Sequence, residues 1–202
     1  MEVQDKLREN DPKLSKMIVP VSLAHVTVLV FHAEQEKIQA ARDIISDTLK
    51  SNSIHSFHLK FEGLDSFNNS QILYAKPTEG KEKLKIMNAV LKKALKEGGF
   101  LCNEKPYNPH VTILKAQSSK FASVESFEAE LKRSFGVEEV AGIQLCMVSP
   151  EREDDGFYQR AGQWNLLNGE QHTEGDSKVP LRDDDGSCCN VGAQNLEREI
   201  IA

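Results

Sequence analysis

Cysteine is scarce in this chain, and what there is falls in no useful pattern. Cys102, Cys146, Cys188 and Cys189 are too few and too irregularly placed for a disulfide framework, and no CxxC pair points to zinc. Reduced thiols are the expectation. Long apolar runs are missing as well, so nothing in the sequence reads as a membrane-spanning helix, and residues 1–10 are polar and charged, unlike a secretion signal. A soluble intracellular protein is expected, cytoplasmic with the nucleus as a second compartment. Basic excess is absent too: 25 Lys and Arg stand against 31 Asp and Glu, a formal charge of -6. That balance excludes a protein that coats nucleic acid through a large basic surface, although a nucleotide or short oligoribonucleotide needs only a local pocket.

What is present is enough for one sizeable core. With 202 residues, 39% of them hydrophobic, the chain fits a single catalytic domain with tails, expected as a monomer. Residues 2–19 carry a partly helical apolar pattern that Asp11-Pro12 interrupts. Residues 25–31 (HVTVLVF) are short and β-branched and read as a strand, and 34–50 follow as an amphipathic helix with Ile38, Ala41, Ile45 and Leu49 in phase. Alternation over 55–61, turn residues at Gly63 and Asn68-Asn69, and a run at 71–76 suggest an antiparallel pair. The clearest helix is 81–97, closed by Gly98-Gly99. A second β-rich run, 110–115 (HVTILK), follows Pro106 and Pro109. A helix is expected at 124–135, with strands at 137–148 and near 157–167. From 168 onward few large apolar residues occur before Ile200, so 1–167 is expected to be the domain and 168–202 a disordered acidic tail.

One internal echo stands out. HVTVLV at 25 and HVTILK at 110 repeat 85 residues apart, whereas six histidines and five threonines give only roughly 0.15 His-x-Thr pairs by chance. Side chains alternate along a strand, so His25 and Thr27 share one face while Val26, Val28 and Val30 take the other, and His110 and Thr112 oppose Val111 and Ile113. A strand whose apolar face is used for packing has no structural need for histidine and threonine on its opposite face. The repetition suggests two polar faces meeting across a cleft.

Such a cleft suits phosphodiester cleavage. One neutral imidazole can take a proton from water or a ribose hydroxyl while a second, protonated, gives one to the leaving oxygen. Thr27 and Thr112 would hydrogen-bond the non-bridging oxygens. The scheme calls for no metal or cofactor, and which histidine is the base stays open at this point.

These residues resemble the 2H phosphoesterase superfamily, defined by paired His-x-[Ser/Thr]-x motifs with hydrophobic flanks, and within it the phosphoesterase-type domains of A-kinase anchor protein 7 and its relatives. The similarity runs over 3–167. It includes the helix leading to Pro20, Phe61-Glu62-Gly63-Leu64 with Phe67 and Tyr74 between the motifs, and Tyr107-Asn108-Pro109-His110 leading into the second. The resemblance implies an α+β fold of two lobes related by a pseudo-twofold axis, with antiparallel sheets facing a central cleft and helices packed outside. It also implies a phosphodiesterase acting on 2',5'-linked oligoadenylate or 2',3'-cyclic phosphate RNA and nucleotides. The alternative is a non-catalytic AMP-type nucleotide-binding module of a protein kinase A anchoring scaffold, and a third reading is an inactive form. Two departures are expected to matter: the family's strand before the first helix is missing here, and the helix that binds kinase regulatory subunits is not seen, so that partner follows from resemblance only.

Other residues read more plainly. His55 and His58 differ by three, so in a strand they point to opposite faces and do not jointly hold a metal. His32 is expected on the face opposite His25, and His172 in the tail. Tyr107 and Phe67 are candidates for stacking on a base, against simple packing beside a proline or a turn. Cys188-Cys189 lacks a prenylation ending, and 182–185 reads as a solvated linker.

Overall fold

A computed structural model describes residues 2–10, 12–67, 71–116, 132–149, 151–167 and 196–201. Within them, strands fall into two antiparallel sheets. The element order is α1 (Glu2–Asn10), β1 (Thr27–Ala33), α2 (Ile38–Ser51), β2 (Phe57–Phe67), β3 (Ile72–Glu79), α3 (Lys81–Glu97), β4 (Leu101–Cys102), β5 (Val111–Lys115), β6 (Ser134–Val140), β7 (Gly142–Met147), β8 (Arg160–Asn165) and β9 (Leu196–Ile201). A five-stranded sheet runs β4-β1-β9-β7-β8 and a four-stranded sheet β5-β3-β2-β6. The expected α+β, two-lobed arrangement is what the chain adopts.

Each sheet is covered by the helices whose apolar stripes the sequence displays. The stripes of α2 (Ala41, Ile45, Leu49) and α3 (Leu84, Met87, Leu91, Leu95) join Val28, Leu29, Phe31, Ile143 and Leu145 in the larger core. Helix α1 breaks before Pro12, whose ring suits a new start, and the chain continues as a 3-10 turn over Pro12–Lys16. Val3, Leu7, Leu14 and Ile18 from this segment cover Leu64, Leu73, Ala75, Ile113 and Leu114 of the smaller sheet. Gly80 enters α3 at φ +79, and a Cβ there would collide with the His58 carbonyl, so a tight turn fixes glycine at this point.

Several expectations need correction. Residues 196–201 do not belong to a disordered tail: β9 lies between β1 and β7 in the larger sheet and is paired with both. Ile200 and Ile201 are buried, which supplies the reason. Residues 168–195 lie outside the described residues, as do His172, Cys188 and Cys189. The expected 124–135 helix lies outside them up to 131, and its end is instead the start of β6, paired to β2 from Phe57↔Val140 to Glu62↔Ser134. Gly63 is no turn: it sits inside β2 at φ +76, at a register shift between Phe61 and Leu64, and its N–H donates to the Arg133 carbonyl.

Candidate active site

The two sheets meet at the repeated motifs. A single antiparallel bridge joins Val26 to Val111, the central residues of His25-Val26-Thr27 and His110-Val111-Thr112. In that register His25 opposes Thr112 and Thr27 opposes His110, so the four polar side chains come together on one side of the bridge with the histidines on a diagonal. All four line one cavity of about 790 Å³, as do Phe67 and Tyr107.

The local geometry of the copies matches in detail. His25 Nδ1 lies 2.8 Å from the Leu23 carbonyl and His110 Nδ1 lies 2.7 Å from the Asn108 carbonyl, in each case two residues upstream. A carbonyl only accepts, so each neutral ring carries its proton on Nδ1 and its lone pair on Nε2. Two aromatic rings bracket each imidazole. Phe157 and Tyr158 stand edge-on to His25 at centroid distances of 6.2 and 5.6 Å, and Phe67 and Tyr74 flank His110 at 5.0 and 5.2 Å. Arg152 in turn stacks over Tyr158 at 4.3 Å, and the Tyr74 hydroxyl reaches the Asn108 side chain.

A bulge follows each motif. Register shifts leave Val28 on β1 and Ile113 on β5 as extra residues, so two consecutive side chains are buried in each strand, Val28-Leu29 and Ile113-Leu114. Alternation is thereby reset. Val30 and Lys115 return to the cavity wall, and His32, expected opposite His25, lies on the same side as Thr27 and Val30, beyond the cavity. Each bulge carbonyl has its own donor: Asn88 Nδ2 reaches Val28 O at 2.7 Å, and the Val19 amide reaches Ile113 O at 2.9 Å.

Electrostatically the wall is one-sided. Lys16, Lys92, Lys105 and Lys115 line the cavity with the two histidines, and among the described residues no carboxylate does. Burial holds the His110 imidazole below its ordinary value of 6.5, and the nearby His25 pushes it the same way against the Asn108 hydrogen bond. The two rings therefore resist both being charged. Among the described residues, neither threonine hydroxyl takes a protein hydrogen bond, and no three His, Cys, Asp or Glu side chains gather as a metal would need. No described helix is long and apolar enough to cross a membrane.

The predicted stacking candidates occupy different roles in packing. Phe67 stands against both Tyr74 (4.9 Å) and His110. Tyr107 packs on the larger core with a buried hydroxyl that has no hydrogen-bond partner among the described residues, and burial raises its pKa. Residues not singled out from sequence are Leu23, Asn88, Phe157, Tyr158 and the four lysines. Asn88, a polar residue facing the sheet from α3, was the one visible signal among them.

Paired His-x-Thr strands meeting between two sheets, with helices outside, define the two-lobed fold of the 2H phosphoesterases. Solved structures share it: Escherichia coli LigT complexed with 3'-AMP (TM-score 0.56, 16% identity, 82% of this chain and 91% of that one) and TT0787 of Thermus thermophilus (TM-score 0.55, 18% identity, 84% and 94%). The model of the AKAP7 2'5' RNA ligase-like domain matches residues 1–166, and the chain belongs to that family. Human A-kinase anchor protein 7 isoform gamma is a relative, 23% identical over an alignment of 175 residues that covers 77% of this chain. The chain spans about half, 49%, of that relative's length.

Proposed function

We propose that this protein is a phosphodiesterase that cleaves 2',5'-linked oligoadenylate or 2',3'-cyclic phosphate RNA and nucleotides by histidine acid-base chemistry without a metal. One observation carries the reading: two imidazoles, each fixed through Nδ1 to a carbonyl, share one cavity with the two threonines of the repeated motifs. His110, held neutral by burial, is the base. Its Nε2 takes the proton of a ribose hydroxyl or water as that oxygen bonds to phosphorus. The P–O bond to the leaving group breaks, and His25, protonated, donates its Nε2 proton to the departing oxygen. Thr27 and Thr112 donate to the non-bridging oxygens, whose charge grows as the new bond forms. A metal has no step to perform in this scheme.

A second reading is favoured by the LigT neighbour solved with 3'-AMP, namely a nucleotide-binding module attached to a kinase-anchoring scaffold. A chelator-treated cleavage panel of 2',5'-oligoadenylate, 2',3'-cyclic nucleotides and 3',5'-linked RNA separates the two. The enzyme reading expects products with a bell-shaped pH dependence. Saturable binding by calorimetry with no product would favour the module, and cleavage retained in a His25→Ala, His110→Ala double variant would remove the proposed mechanism.

A further inference from the structure

The two histidines are mounted differently. Phe67 and Tyr74, which flank His110, lie on β2 and β3, where Phe67 pairs with Ile72 and Tyr74 with Thr112, so strand pairing holds both rings. Phe157 and Tyr158, which flank His25, precede β8 in a turn over 151–158. Phe157 belongs to neither of the two large cores. It packs with Cys146 and Ile201 in a third, small cluster, against which Leu23 and Tyr158 lie. Leu23 supplies the carbonyl that His25 Nδ1 reaches, so this cluster meets His25 through both aromatic rings and adjoins the residue that anchors it.

Arg160, the first residue of β8, ties that turn together. Arg152 and Tyr158 form an isolated antiparallel bridge, and the Glu153 amide donates to the Phe157 carbonyl at 3.0 Å. Across the turn, the Arg160 guanidinium pairs through Nη1 with the Glu153 carboxylate and through Nη2 with Asp155 at 2.9 Å. Its backbone amide donates to Glu153 Oε1 at 2.6 Å, its Nε reaches Gln144 Oε1 on β7 at 3.3 Å, and the guanidinium lies over the Phe157 ring at 4.9 Å. A lone exposed ion pair contributes little, but here one planar fork joins two carboxylates, a neighbouring strand and an aromatic ring. Asp155 also accepts the Phe157 amide on Oδ1 at 2.8 Å, so the clasp closes directly on a residue that stands against His25.

We infer that Arg160 is a positioning residue for His25: by clasping Glu153 and Asp155 it holds Phe157 and Tyr158 edge-on to the imidazole and so aims Nε2 at the phosphate. The inference deepens the phosphodiesterase reading, and its effect on rate rests on that reading. Arg160 does not line the cavity, so its loss acts through the ring and not through contact with a ligand there. A reacting group misplaced by about 1 Å costs up to roughly 10²-fold in rate, which makes a small tilt of one imidazole measurable. The His110 ring, flanked by residues of paired strands, should stay where it is.

The test combines steady-state cleavage of a 2',5'-linked adenylate dimer with NMR of the full chain labelled at histidine, the two rings assigned through His25→Gln and His110→Gln. Arg160→Gln is expected to lower kcat about 10-fold with KM changed by less than about 2-fold, and to shift the His25 ring resonances while those of His110 stay in place. Phe157→Leu, which keeps apolar bulk without the ring, should do the same, and the double variant should be no worse than the poorer single one. Asp155→Asn keeps an acceptor for the Phe157 amide and removes one ion pair, so a loss of about 2-fold in kcat and a smaller His25 shift are expected. It carries the test should Arg160→Gln not fold. An unmoved His25 ring with wild-type kcat would overturn the inference, as would equal displacement of both rings, or Arg160 and Phe157 effects that multiply. If the wild-type chain cleaves nothing, a selective His25 shift upholds the clasp while the catalytic reading falls, and the lack of such a shift overturns the clasp by itself.

Discussion

The His25 and His110 halves of the cleft share everything that aims a ring and differ in what surrounds it. Both use a strand, a carbonyl two residues upstream, a pair of flanking aromatics and a bulge after the threonine. Their surroundings diverge. The bulge carbonyl of β1 depends on the Asn88 side chain and that of β5 on a backbone amide, and the residue returning to the cavity is Val30 in one copy and Lys115 in the other. Burial lowers the proton affinity of the His110 ring. Under the proposed mechanism, the duplicated geometry lets both rings address one phosphorus, and the unlike surroundings suit the separate tasks of base and acid.

The largest break in this comparison comes from the rings themselves. His25→Ala and His110→Ala should each lower kcat/KM by about 10²–10⁴-fold, with the double variant little worse than the poorer single one. The acidic limb of the wild-type pH profile should fall below 6.5, because burial pushes down the proposed base, His110. Stability follows the same sign. Between the lowered folded value and the unfolded one, the unfolded chain holds more protons, so stability is lost as pH falls through 6.5, and His110→Asn should remove that portion of the pH dependence in thermal melts.

Next in size, Ile200→Ala tests whether the larger lobe needs its borrowed central strand. A cost of about 2–5 kcal/mol in denaturant unfolding is expected for a fully buried side chain. Little loss would show that β9 is dispensable. Smaller again, Asn88→Ala strips the donor from Val28 O and should cost about 1–3 kcal/mol, lowering kcat more than KM because Thr27 and His25 sit just before the bulge. Asn88→Asp, an acceptor in place of a donor, should not restore it. Smallest, Tyr107→Phe removes a buried hydroxyl with no partner among the described residues and should stabilise by about 1 kcal/mol, read from the unfolding midpoint.

The elements most legible in the sequence were those specified locally. Helix α3 spans the expected 81–97 because its apolar stripe and Gly98 are local signals, and the two His-x-Thr strands announced themselves by repetition. Strand period located His25 with Thr27 and His110 with Thr112 on one cavity. It failed beyond Val28 and Ile113, since a bulge is set by partner strands and leaves no mark in either run of β-branched residues. Tertiary pairing likewise hid β9, whose Glu197, Arg198 and Glu199 suppress any strand signal while two isoleucines secure it. Gly63 was misread because a glycine within a strand and a glycine in a turn look alike until the partner is known.

The position of β9 bears on how the molecule is made. Val30 pairs with Glu199 and Leu29 with Ile200, contacts separated by about 170 residues, so β1 emerges from the ribosome long before its neighbour exists. The α1 lobe, whose strands lie between 57 and 140, is able to form during synthesis. The half holding His25 must wait with a gap in its sheet, a period in which chaperones, proteases or another strand could claim the unfilled edge.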